Sequence, residues 1–211
     1  MKKASKIIAI FIFAMSVFVG IGAVEVFADT TSQTNTVNEP IKFIAKQKGK
    51  KVVLKWNKSK NVKGYIIYKN GKKFKTLKKN KLIDKKVKKN KVYSYKIKAY
   101  TFANGKKVFS NSGQTVSIIV TDKKSKKVNA GRFKYIKNQY TISLNGKVKL
   151  QGEAYPSKKL KKKKVLSRKL TWSSSDTSLA TVNARGVVKA NNNMKTGTVI
   201  IYAKAHNGLT K

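Results

Sequence analysis

The chain has 211 residues, no cysteine, one histidine, and 50 Lys and Arg against 7 Asp and Glu, for a net charge of +43. Missing thiols exclude cysteine nucleophiles, disulfides and cysteine metal sites, and a lone histidine excludes the usual zinc ligand sets. A positive field this large repels itself and attracts polyanions. Nearly all of it is lysine, with arginine only at Arg132, Arg168 and Arg185.

Lys2, Lys3 and Lys6 form a basic start, residues 7–24 are an uncharged apolar run, and Val26-Phe27-Ala28 places small residues before Asp29. This pattern predicts a cleaved signal peptide over 1–28 and a secreted, cell-surface product. The competing reading is an uncleaved anchor, because the run approaches the about 20 residues a spanning helix needs. The Val-Phe-Ala site and the polar stretch after it favour cleavage. No second apolar run of that length follows, so no membrane span is expected after cleavage. Residues 29–39 (DTTSQTNTVNE) lack apolar periodicity and read as a flexible spacer.

From Ile41 the pattern becomes short apolar alternations broken by Gly, Asn and Lys clusters, which predicts an antiparallel all-β fold. Strands are expected at 41–47, 51–57, 64–69, 73–78, 81–84, 92–102 and 107–120. Val52, Leu54 and Trp56 share one face of their strand, and Tyr93, Tyr95, Ile97 and Ala99 alternate with Ser94, Lys96 and Lys98. That is period two, with apolar residues inward and lysine outward. Tyr65, Tyr93, Tyr95 and Tyr202 are expected in cores, and Tyr68, Tyr100 and Phe102 on outer faces. Asn70-Gly71 and Asn104-Gly105 stand where tight hairpin turns are needed.

Leu54-Lys-Trp56, then 64–69 (GYIIYK), then 93–100 (YSYKIKAY), then Gly105 and Ser110 or Ser112, resemble a fibronectin type III domain over 40–121. The resemblance implies that Trp56 fills the core from the second strand. It also implies that Tyr93 is a tyrosine corner, its hydroxyl bonded back to the backbone.

Residues 122–131 (DKKSKKVNAG) read as a charged linker, and a second module is expected over 132–211. In it Tyr140, Ile142 and Leu144 alternate, Asn145-Gly146 turns, and Val148, Leu150, Gly152 and Ala154 alternate again. Next come 170–183 (LTWSSSDTSLATVN), 186–190 (GVVKA) and 197–205 (GTVIIYAKA), then Gly208. These elements resemble a bacterial Ig-like domain of group 2. The resemblance implies Trp172 as core anchor, the serines and Asp176 in a turn, and Gly186 in a hairpin. Two departures stand out. The family's final strand has only Leu209, Thr210 and Lys211 to form it, which predicts an open sheet edge, and the connection before Trp172 is long and basic. The expected fold class is therefore all-β, two tandem immunoglobulin-like sandwiches.

Ser173, Ser174, Ser175, Asp176 and His206 contain the letters of a hydrolase triad, but nothing around them suggests a nucleophile elbow. Beyond the spacer the acids are Asp84, Asp122, Glu153 and Asp176, too scattered for a glycosidase pair or a calcium cage. No Gly-rich phosphate loop is present, so neither cofactor nor metal is expected. The densest basic stretch is Lys158, Lys159, Lys161, Lys162, Lys163, Lys164, Arg168 and Lys169. It reads either as a solvated loop or as a polyanion contact.

The expected function is non-catalytic: a cell-surface adhesion or scaffold module holding an anionic cell-wall polymer or anionic glycan. Nucleic acid would bind only non-specifically, since no recognised nucleic-acid motif is present. The alternative is an N-terminal accessory part of a larger secreted cell-wall or carbohydrate-acting enzyme, a reading motivated by the short tail after Gly208.

Overall fold

A computed structural model describes residues 37, 38, 40–111, 113–135 and 140–211. The expected signal peptide, nearly all of the expected spacer and Ser112 lie outside the described residues. The described chain is all-β apart from one 3-10 turn, Lys158–Leu160.

In the first module, β1 (Ile44–Lys48), β2 (Lys51–Lys55) and β5 (Lys81–Asp84) make a three-stranded antiparallel sheet. Facing it, β3 (Gly64–Lys69) pairs with β4 (Lys72–Leu77) on one side and with the long β6 (Val92–Ala103) on the other. The second edge of β6 is shared by β7 (Lys106–Phe109) and β8 (Gln114–Ile119). The alternation predicted one strand over 107–120. It is broken because Ser110 turns inward, its hydroxyl accepting the Ala99 amide at 3.1 Å.

Between the sheets lie Phe43, Val52, Leu54, Trp56, Tyr65, Ile67, Tyr95, Ile97, Val116 and Ile118. The inward period-two residues of both sheets therefore meet face to face, as in a β-sandwich. Trp56 is 3% exposed and packs edge-on against Phe43 and Tyr65. The Tyr93 hydroxyl accepts the Lys88 amide at 2.7 Å, the backward bond expected of a tyrosine corner. Tyr100 departs from expectation: it is 8% exposed, beneath the Lys107 ammonium and between Phe102 and Phe109.

The connection over 122–131 is an ordered segment. Its β9 (Lys127–Val128) runs parallel to β13 (Lys164–Val165) of the second module. The Asn129 side chain both donates to and accepts from the Ile119 backbone, at 2.8 and 3.0 Å, and so extends the first module's sheet by one amide.

In the second module, β10 (Arg132–Tyr135) pairs with β12 (Gly152–Tyr155), and β14 (Thr171–Ser174) pairs with β17 (Ile201–Lys204). A further sheet has the order β11 (Lys147–Lys149), β16 (Val187–Ala190), β15 (Ala180–Val182). The alternation over 140–144 does not become a strand. The 148–154 alternation is split between β11 and β12, which belong to different sheets. Its core is small: Ala130, Ala154, Val165, Leu170, Ala203 and Ala205, with Phe133, Trp172 and Leu209 packed alongside. Trp172 is half-buried and lies across Gly186, whose φ is +77°. A Cβ at Gly186 would come within 3.0 Å of the Trp172 Nε1. The Gly-x-Val element thus needs glycine both for its backbone and for the indole above it. Tyr202, expected inside, is 39% exposed because β17 is short and turns its Ala203 inward.

The last three residues are not idle. Ala203 and Lys211 exchange two backbone hydrogen bonds of 3.0 Å, and the Ala205 amide donates to Leu209 at 2.8 Å. The outer side of β17 is therefore paired where an open edge was expected, as far as residues 209–211 reach.

Candidate polyanion-binding surface

The basic loop begins after Pro156 with the 3-10 turn and carries no acid. Its backbone turns back on itself: Leu160 donates to Ser157 and Lys163 to Leu160, both at 2.9 Å. At its end Val165 turns into the core and Lys164 turns out, the period-two consequence of a strand. Lys158, Lys159, Lys161, Lys162 and Lys164 are exposed and make no ion pair among the described residues.

The other three expected site residues play different parts. The Lys163 ammonium donates to the carbonyls of Lys123 and Ser125, at 2.6 and 2.9 Å, so it fastens the loop to the connecting segment. Arg168 pairs with Glu153 at 3.2 Å and lies over the Tyr155 ring, which Arg132 covers as well. Lys169 is exposed along a groove between the modules that also touches Trp172, Tyr202 and His206. The structure thus keeps five of the eight residues as a free cationic cluster.

Sequence reading missed the neighbours of that cluster. Lys123, Lys124, Lys126 and Lys127 are all exposed, and the β9–β13 pair sets Lys127 opposite Lys164. A two-residue parallel pairing across 37 positions leaves no periodic signal that could have revealed it.

The hydrolase-like residues are not assembled. Ser173 lies opposite Tyr202 in β17, which ends two residues before His206, and among the described residues no hydrogen bond joins the His206 ring to Ser173, Ser174, Ser175 or Asp176. The Asp176 carboxylate accepts from the Ser178 amide and hydroxyl, at 2.8 and 2.7 Å. Those bonds hold its pKa below the ordinary carboxylate value. The Ser175 hydroxyl accepts the Ile200 amide at 2.9 Å. These are the bonds of a turn. Among the described residues no cluster of three or more His, Asp or Glu could hold a metal ion.

His206 has another place. Its carbonyl accepts the Ser117 amide of the first module at 2.6 Å, and among the described residues neither ring nitrogen makes a well-formed hydrogen bond. Burial lowers its pKa, opposed in part by the Ser167 backbone. The folded chain therefore prefers neutral imidazole. Its contribution is complete above the unfolded value near 6.5 and is lost as pH falls through the folded pKa. Melting temperature should drop between pH 7.5 and 5.5, and His206→Gln should flatten that drop. An unchanged pH profile in the variant would show that the titrating group lies elsewhere.

No family model matches the sequence, and no curated protein matches it. The chain is structurally similar to fibronectin type III domains. Similar solved structures include a mutant of FN3tt, at 23% identity over 41% of this chain and 100% of that one, with a TM-score of 0.36. Another is the Clostridium perfringens spore cortex lytic enzyme SleM, at 23% identity over 41% of this chain, with a TM-score of 0.33. That match spans 28% of the enzyme's length. The central fibronectin-III array of RIM-binding protein matches at 12% identity over 82% of this chain and 64% of that one, with a TM-score of 0.36.

Proposed function

We propose that this chain is a secreted, non-catalytic module of the bacterial cell surface that binds an anionic envelope polymer through its lysines. Under this reading the first module is a fibronectin type III-like domain and the second a bacterial Ig-like domain of group 2. The observation that carries the binding role is the unbalanced charge. Among the described residues only three ion pairs form: Lys69–Asp84, Lys89–Asp122 and Arg168–Glu153. Fifty basic residues in the chain thus have little counter-charge within it, and five ammoniums are concentrated on one ordered loop. A folded domain tolerates that repulsion at a cost, and a polyanion relieves it. Lysine is a hydrated point charge that reads charge more than shape, so the ligand is defined by anion density.

The reading is tested with purified poly(glycerol phosphate) at low ionic strength. Binding should be measurable, and the log of affinity should fall linearly with the log of salt as counterions are released. Absence of binding at 50 mM salt would reject the proposal.

A further inference from the structure

We infer that the polyanion site is a composite platform, in which the connecting segment and the loop of the second module together hold one linear, base-free phosphodiester chain across the module junction. This rests on the polyanion reading above and specifies what occupies the site.

Three observations carry it. The first is the juxtaposition of like charges. In the parallel pair of β9 and β13, Lys127 stands opposite Lys164, at a strand spacing of about 4.8 Å. Val128 and Val165 point the other way, into the protein. Like charges directly opposite each other destabilise a strand pair. The Cα atoms of Lys127 and Lys164 are paired at less than a Debye length, about 8 Å at physiological ionic strength, so salt screens the repulsion only in part. A bound polyanion relieves it.

The second observation is rigidity. The connecting segment is tied on both sides by bonds that spend no exposed lysine. The Asp122 carboxylate accepts the Lys124 amide at 3.0 Å, and the Ser125 hydroxyl donates to Asn90 of the first module. From the other side, the Lys164 amide donates to the Lys126 carbonyl at 3.2 Å, and Lys163 bonds the carbonyls of Lys123 and Ser125. Asp122 is the one acid within 118–128 and 157–165, and its oxygens are engaged by this turn and by Lys89. The remaining lysines are thus held toward solvent on a fixed backbone, and little further ordering is needed when a chain binds.

The third is composition. Neither 122–128 nor 157–165 contains an aromatic residue. Single-stranded nucleic acids are held by aromatic stacking as well as by charge. A platform of point charges with no ring suits a flexible phosphodiester chain that has no bases to stack.

The test compares three variants of the full-length protein. One carries Gln at Lys123, Lys124, Lys126 and Lys127. A second carries Gln at Lys158, Lys159, Lys161, Lys162 and Lys164. A control carries Gln at Lys58, Lys60, Lys63 and Lys106, exposed residues around the far end of β6. That strand has 12 residues, so the control set is on the order of 37 Å away. Lys163 stays in all three, because it holds the backbone. Each phosphate neutralised contributes about 0.7 to the salt slope of a flexible chain. Poly(glycerol phosphate) should therefore bind the parent with a slope near −6, and the connecting-segment variant with a slope shallower by about 3. Between 50 and 200 mM salt the parent should lose several thousandfold in affinity and that variant roughly fifty-fold less. The control should change the slope by less than half as much.

If the connecting-segment and control variants behave alike while the loop variant weakens binding, the composite platform is wrong and the polyanion reading stands. If single-stranded oligothymidylate of equal charge binds more tightly than poly(glycerol phosphate), the base-free ligand class is wrong. Melting curves verify folding, and the Lys124→Gln/Lys126→Gln pair serves if the fourfold variant is unstable. The pair should still flatten the slope by about 1.4.

Discussion

Asp84→Ala should destabilise the first module by about 3–5 kcal/mol, the scale for removing one partner of a buried ion pair. The Asp84 side chain is fully buried at the end of β5 and receives three groups. The Lys69 ammonium and the Tyr95 hydroxyl each reach it at 2.6 Å, and the Lys86 amide at 2.8 Å. Burial by itself would raise the carboxyl pKa; the three hydrogen bonds outweigh it and hold the pKa below the usual value. The same burial, together with the neighbouring carboxylate, pushes the Tyr95 phenol up. Alanine would leave the phenol without an acceptor and the Lys69 ammonium with the Lys86 carbonyl and the Tyr93 and Phe74 rings. A module of about 80 residues holds only on the order of 4–12 kcal/mol in total, so the loss is severe. Urea unfolding should show the midpoint falling with little change in slope. Asp84→Asn, which keeps an acceptor for Tyr95, should cost less. In the double variant Asp84→Leu/Lys69→Met, part of the stability should return, because no buried charge is left alone. A loss below 1 kcal/mol for alanine would show that water replaces the carboxylate. With a lowered folded pKa, this contribution is present above the unfolded value and lost as pH falls below it through the folded one.

The second large effect is expected at Gly208, where the two modules are joined. Gly208 has φ +83°, and a Cβ there would lie 2.1 Å from the Phe43 carbonyl oxygen and 2.8 Å from the Ile44 Cα. Both neighbours are backbone of the first module, so neither can swing aside. Around this point the Ala45 amide donates to Asn207 at 2.9 Å, the Ser117 amide donates to His206, and the Asn207 side chain donates to Ala130 at 3.0 Å. Gly208→Ala forces either a left-handed alanine in steric conflict or separation of the junction. The strain costs on the order of 1–3 kcal/mol, and each hydrogen bond lost about 1 kcal/mol. We expect a loss of roughly 3–5 kcal/mol from the junction. Amide hydrogen exchange should accelerate at Ala45 and Ser117 while the centre of β6 stays protected. Unchanged exchange at those two amides would show that the junction adjusts without opening. Because the composite basic platform depends on the same alignment of modules, Gly208→Ala should also weaken polymer binding without touching a lysine.

The parts of this protein that local chemistry dictates were legible before any coordinates. Period-two alternation placed β3 and β5 at their ends and put Val52, Leu54, Trp56, Tyr95 and Ile97 in one core. Side-chain direction along a strand depends only on the pleat, so a single strand carries that information in its own residues. The Asn-Gly turns are equally local, whereas the Tyr93 bond to Lys88 was implied by the fibronectin type III resemblance. The second module was less readable, because its apolar residues are sparse and its core is mostly alanine. The alternation over 140–144 could not say that it would stay outside the sheets, nor could that over 148–154 say that two sheets would share it.

Tertiary structure alone decided which charges meet. Lys163 looked like its neighbours in an unbroken basic run, yet it is the one whose ammonium closes on the connecting segment. Lys127 and Lys164 are 37 positions apart, and only the pairing of β9 with β13 sets them side by side. Lysine in a sequence reports how much charge there is. Where that charge accumulates depends on long-range backbone pairing, which is a property of the whole fold and leaves no mark on the residues that it brings together.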